Sequence, residues 1–112
     1  MQRDFQYLLD MLESAKLAVR YVAEVSKTNF FSDTQLQDAV IRRLAIIGEA
    51  ARRVSDSTRQ ILPTVPWVEI SGMRNRLIHE YDDLDLEIIW DTVNRGLPPL
   101  IAELEKTISS SS

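Results

Sequence analysis

Between Asp4 and Ser26 apolar side chains recur at steps of three and four residues: Phe5, Leu8, Leu9, Leu12, Ala15, Val19, Val22 and Val25. That spacing keeps them on one face of an α-helix, and no Gly or Pro interrupts it, so one long helix is expected. Residues 27–31 read as a connector. Ser32 then offers a helix cap with Gln35 reaching back in a capping box. The second long helix carries Leu36, Val40, Leu44, Ile47, Ala51 and Val54 on one stripe, with Ile41, Ala45 and Gly48 beside it, and therefore buries more than one side. Gly48 inside this helix costs about 1 kcal/mol relative to Ala. The usual return is the close approach of another backbone, either within one bundle or between two subunits.

Ser55, Asp56, Ser57 and Thr58 offer caps for a short helix reaching Ile61, which Pro63 and Pro66 then stop. Pro66 suits the first turn of the next helix, where its missing N–H has no intrahelical partner to lose. Trp67, Ile70, Met73, Leu77 and Ile78 give that helix an apolar face, and the acidic stretch 82–85 ends it. Asp83 or Asp85 caps the last helix, whose pattern runs from Leu86 to Ile108. Gly96-Leu97-Pro98-Pro99 must kink or restart it, because each proline removes a backbone donor. No stretch alternates with period two long enough for a strand. The expected fold is all-α: one domain over residues 1–108, a bundle of four main helices plus a short one, followed by a disordered tail of four serines at 109–112.

At 112 residues with 45% apolar content the chain has room for one packed core. No apolar run approaches the roughly 20 residues that span a bilayer. The first residues lack a basic stretch followed by an apolar one, so a cytoplasmic protein away from the membrane is expected. There is no Cys and a single His, His79, which removes thiolate metal sites and disfavours a zinc site within one chain; no metal and no cofactor are expected. A net charge of −4 argues against indiscriminate nucleic-acid binding, but the charge is unevenly spread. The middle segment 40–80 holds seven basic and four acidic residues, and all seven are Arg, whose planar fork suits phosphate oxygens. Arg42, Arg43, Arg52 and Arg53 lie on the second helix, either lining a groove for a polyanion or as solvated surface.

The run from Gly72 to Tyr81 gathers the only His, Arg74, Arg76, Glu80 and Tyr81 at the polar end of an apolar helix. Imidazole is the side chain that exchanges protons nearest neutrality, and guanidinium holds a phosphate and the charge developing on it. RNA brings its own nucleophile, the 2′-hydroxyl, so cleavage needs a proton acceptor, a proton donor and a cation. One His per chain supplies one of the two proton roles at a time; a twofold homodimer supplies both. The alternative is a His79 that packs at the helix end, with Arg76 paired to Glu80 at i, i+4. Glu49 lies in an apolar stretch and wants a partner, for which Arg74 is a candidate. Trp67 and Trp90 fall on apolar stripes, which favours core packing over base stacking.

Arg74-Asn75-Arg76-Leu77-Ile78-His79-Glu80-Tyr81 resembles the RX4HXY motif of the HepT family, within the HEPN superfamily, including the polar residue directly after the Arg. Ile46-Ile47-Gly48-Glu49-Ala50-Ala51, Val65-Pro66-Trp67 and the stretch from Trp90 to Leu100 extend the resemblance over nearly the whole chain. It implies the toxin of a type VII toxin–antitoxin system, an endoribonuclease that cleaves RNA, such as tRNA or mRNA, without metal. Arg74 and His79 would be the catalytic residues in a cleft at a homodimer interface; Asn75, Glu49 and Arg76 are expected, from their own places in the sequence, to support them. It further implies an antitoxin partner of the MntA type, a minimal nucleotidyltransferase that transfers AMP to the motif tyrosine, here Tyr81. The other use of such helical domains is as a non-catalytic nucleotide- or substrate-binding module for a nucleotidyltransferase.

Overall fold

Four of the helices begin where the side-chain oxygen of Ser26, Asp33, Ser55 or Asp85 takes a free backbone N–H. The computed structural model contains α1 (Gln2–Val22), α2 (Lys27–Ser32), α3 (Thr34–Arg53), α4 (Asp56–Ile61), α5 (Trp67–His79), α6 (Leu86–Asp91) and α7 (Leu97–Ser111). A 3-10 turn, Tyr81–Asp83, links α5 to α6, and a π-helical turn, Thr92–Gly96, joins α6 to α7. The structure describes residues 2–111, without the side chains of Gln2, Tyr81, Ser110 and Ser111. The part assigned to the Tyr81 side chain, and Ser112 of the expected tail, lie outside the described residues.

Several boundaries differ from the sequence pattern, each for a local reason. α1 stops at Val22 rather than Ser26 because Glu24 enters the left-handed region, with φ 65°. Ser26 is thereby free to cap α2, its Oγ accepting from the Asn29 N–H at 3.1 Å. The expected connector 27–31 is thus a short helix, which buries Phe30 completely and sets its ring 5.2 Å from that of Trp90. Asp33, not Ser32, caps α3, accepting from Leu36 N–H at 3.0 Å; its charge also suits the positive end of the helix. The side chain that reaches back is Gln37 rather than Gln35, donating to the Phe30 and Phe31 carbonyls at 2.9 and 3.1 Å.

Ser55 caps α4 and Asp85 caps α6. At 96–99 the kink takes the form of the π turn, in which the Leu97 N–H reaches back to the Thr92 carbonyl. Widening the helix there relieves the crowding that the rings of Pro98 and Pro99 would impose on the preceding turn. α7 then continues through 109–111, past the Ile108 at which the sequence pattern ends the domain.

α1 packs on α3 along one side and on α7 along the other. Met11, Ala15, Ala18, Val40, Leu44, Ile47, Val93 and Leu104 fill the space between them. The four main helical lines are α1, α3, α5 and the α6–π–α7 succession. α5 is laid on α3 from outside and buries only Leu77 fully, so most of its polar residues stay at the surface. Among the described residues no helix is long and apolar enough to cross a membrane.

Candidate active site between α3 and α5

The place where α5 crosses α3 is set by Gly48. A Cβ built on Gly48 would lie 2.6 Å from the Cβ and 3.1 Å from the Cγ of Arg74, closer than packed carbons approach. Of the two explanations for this glycine, the crossing within one chain is therefore the one observed. The missing side chain lets the stem of Arg74 rest on the α3 backbone, and the next residue of α3 catches its head: Nε of Arg74 donates to Oε2 of Glu49 at 3.0 Å. The pairing of Glu49 with Arg74 is as the sequence suggests.

Glu49 does more than that. Its Oε1 accepts from Nη2 of Arg52 at 2.9 Å and from Nη2 of Arg53 at 3.3 Å, so one carboxylate gathers three guanidinium groups. Hydrogen bonds from Arg52 and Arg74 hold its carboxyl well below the usual range, from 4.5 down to about 2. The same carboxylate raises the pKa of Arg52. The pairing of Glu49 with Arg52 and Arg53 is not among the sequence expectations; their i, i+3 and i, i+4 spacing on α3 is the signal that could have shown it.

Beside this cluster a groove of about 360 Å³ runs between the two helices, lined by Arg42, Ala45, Ile46, Glu49, Arg74, Leu77 and Ile78. Its floor is apolar and its rim cationic, and Ile78 leaves half of its surface exposed. The apolar floor, with Ile46 and Ile78, was not singled out from the sequence. Ile78 belongs to the apolar face of α5, which does not tell which members stay uncovered, and Ile46 falls outside both apolar stripes of α3.

His79 is the last residue of α5; it is exposed and makes no hydrogen bond or ion pair among the described residues. Five residues along a helix place it about 140° around the axis from Arg74. A single chain does not join the two. Asn75 and Arg76 are exposed, with no hydrogen bond to Arg74 or His79 among the described residues. Arg76 lines another groove, with Met73, Glu80 and Asp83, and among the described residues it forms no ion pair with Glu80.

Arg59 is absorbed by structure. Its Nη2 donates to the Ala51 and Arg52 carbonyls at 2.8 and 3.3 Å, capping the C-terminal end of α3, and its guanidinium lies 5.4 Å from the Trp67 ring centroid. Trp67 in turn donates to the Leu62 carbonyl, and both tryptophans pack on the core, as their stripes imply. A polar site the sequence did not show is Asp4. It is buried and accepts from the Ser55 N–H at 3.1 Å, the Ser55 hydroxyl at 2.6 Å and the Thr58 hydroxyl at 2.5 Å. No local pattern links residues 51 and 54 positions apart.

An all-helical bundle with an arginine seated beside an apolar, cation-rimmed groove is the class of protein these elements define. The chain belongs to the family described as "Ribonuclease HepT-like", which matches residues 11–107. It is 37% identical over 100 residues to a Thermococcus cleftensis protein named "Probable ribonuclease HepT", covering 89% of this chain and 91% of that one. A "Putative RNase" of Methanocaldococcus jannaschii is 37% identical over 99 residues, covering 88% of this chain and 91% of the relative. Another of that description, from Caldanaerobacter subterraneus, is 38% identical over 102 residues, with 91% and 88% covered. No solved structure matches the chain significantly.

Proposed function

We propose that the chain is an endoribonuclease, the toxin of a type VII toxin–antitoxin pair, cutting RNA in the cytoplasm without a metal ion and as a homodimer. The family and the names of the relatives support the nuclease part. The observation that carries it to particular residues is Arg74, held through Nε while neither terminal amino group has a hydrogen-bond partner among the described residues. That is the state in which an arginine can take a phosphate by its outer fork.

In this reading Arg74 grips the non-bridging oxygens of the scissile phosphate, and Asn75 and Arg76 support it. His79 of one copy takes the proton from the 2′-hydroxyl. The 2′-oxygen bonds to phosphorus, and the bond from phosphorus to the 5′-oxygen breaks. The leaving oxygen takes its proton from the partner copy's imidazole, leaving a 2′,3′-cyclic phosphate and a 5′-hydroxyl. A homodimer meets the need for two imidazoles, which one chain lacks. The groove between α3 and α5, apolar at its floor, is the face on which a second copy would bring its own Arg74 and His79 close.

An MntA-type nucleotidyltransferase would act as antitoxin by placing AMP on Tyr81. The added phosphate would then compete with RNA for the Arg side chains of α5. The other reading, a non-catalytic module that binds nucleotide for such a partner, is favoured by the unpartnered and separate position of His79 in the single chain. Expression of this chain alone separates the two. Growth arrest that His79→Ala relieves, and that co-expression of the nucleotidyltransferase prevents with an adenylate mass found on Tyr81, supports the toxin; growth unaffected by the unmodified chain supports the module.

A further inference from the structure

A guanidinium carries five N–H donors in a rigid fork. Arg74 commits one of them inside the protein, the Nε–H, and commits it to a single carboxylate oxygen of Glu49. A carboxylate that grips both terminal amino groups competes with any phosphate for the outer fork; one that holds the inner nitrogen does not. Glu49 is kept in this side-on position from both directions. Gly48 brings the stem of Arg74 down onto α3, and Arg52 and Arg53 occupy the carboxylate's other oxygen. One negative charge against three positive ones also leaves the cluster attractive to an anion.

We propose that Glu49 is a positioning residue for Arg74: its carboxylate fixes the guanidinium through Nε and leaves both terminal amino groups to grip a phosphodiester of the substrate. The proposal rests on the ribonuclease reading for its substrate and on the geometry for the rest. Removing Glu49 leaves a cationic site whose arginine is no longer aimed, so turnover suffers while affinity for phosphate does not.

The test compares the full-length chain with Glu49→Ala and Glu49→Gln, with folding matched by circular dichroism and melting. It measures kcat and KM for RNA cleavage, and affinity for a 2′-deoxy oligonucleotide of the same sequence, which keeps the phosphates and lacks the nucleophile. Glu49→Ala is expected to lower kcat by about 10- to 100-fold, the scale of a misplaced group, with KM and oligonucleotide affinity kept or tightened. Glu49→Gln, whose amide oxygen still accepts from Nε–H, recovers part of kcat. An unchanged kcat in a folded Glu49→Ala chain, or loss of kcat in step with loss of affinity, overturns the proposal. If the parent cleaves no RNA, the ribonuclease reading fails separately, and the Arg74 guanidinium resonances decide the positioning claim. An Arg74 response to the deoxy oligonucleotide in the parent that Glu49→Ala abolishes while still binding the oligonucleotide supports it; the same response in both chains, or loss of binding in Glu49→Ala, overturns it.

Discussion

Gly48 and Arg74 meet where α3 crosses α5, so closely that a Cβ at position 48 would stand 2.6 Å from the Cβ of Arg74. The atom it would strike is fixed to the α5 backbone, and a rotamer change cannot move it away. The helix gives up about 1 kcal/mol of propensity at Gly48 and gains a seat for the arginine that the proposed chemistry needs.

Gly48→Ala sets two effects against each other. Alanine returns about 1 kcal/mol of helix propensity, while overpacking at a crossing costs about 1–3 kcal/mol. The expected net result is a loss of roughly 1 kcal/mol, or a melting midpoint lower by about 4 °C. Cleavage, measured well below that midpoint, falls further than the folded fraction does, because the displaced backbone carries Arg74 with it. Urea unfolding and initial cleavage rates on the same preparation check both parts.

Arg59→Ala separates structural arginine from site arginine. Loss of the bonds to the Ala51 and Arg52 carbonyls and of the contact with Trp67 is expected to cost about 1–2 kcal/mol of stability. Cleavage per folded molecule should stay at the parent level. Denaturant titration gives the first quantity, and cleavage at a temperature where both chains are folded gives the second.

Acid should weaken the fold through two carboxylates. Glu49 titrates near 2 when folded and Asp4 is also held below its ordinary 3.8, chiefly by hydrogen bonds from Ser55 and Thr58. A group with a lowered folded pKa adds stability above its unfolded value and loses it as pH falls through the folded one. Thermal melts should therefore hold steady down to about pH 4.5 and decline from there toward about 2. Asp4→Asn should cost about 2 kcal/mol at neutral pH, where a charged acceptor of three donors is replaced by an amide. It should also make the acid decline shallower, and a decline as steep as the parent's would count against this role.

The helices themselves were legible because each long one repeats its apolar stripe at helical spacing. Boundaries failed where two caps competed. Ser32 and Asp33 both suit a helix start, and the choice of Asp33 depends on α2, which a six-residue segment with little periodicity did not announce. The pair Glu49 and Arg74 was inferred from a carboxylate in an apolar stretch, a clue that needs no knowledge of where α5 lies. The intrachain role of Gly48 needed the crossing itself, since the same glycine suits a subunit contact equally well. Asp4 stayed hidden because burial of a polar N-terminal residue against a loop fifty positions away leaves no mark on local pattern.

The most direct test of the central claim is incubation of the purified chain with total cellular RNA and tRNA in excess EDTA, beside Arg74→Ala and His79→Ala controls of matched folding. Cleavage by the parent, ending in 2′,3′-cyclic phosphates and abolished in both variants, is the predicted result. Intact RNA with a parent chain shown by mass spectrometry to be unmodified at Tyr81, or cleavage that persists in His79→Ala, would contradict it.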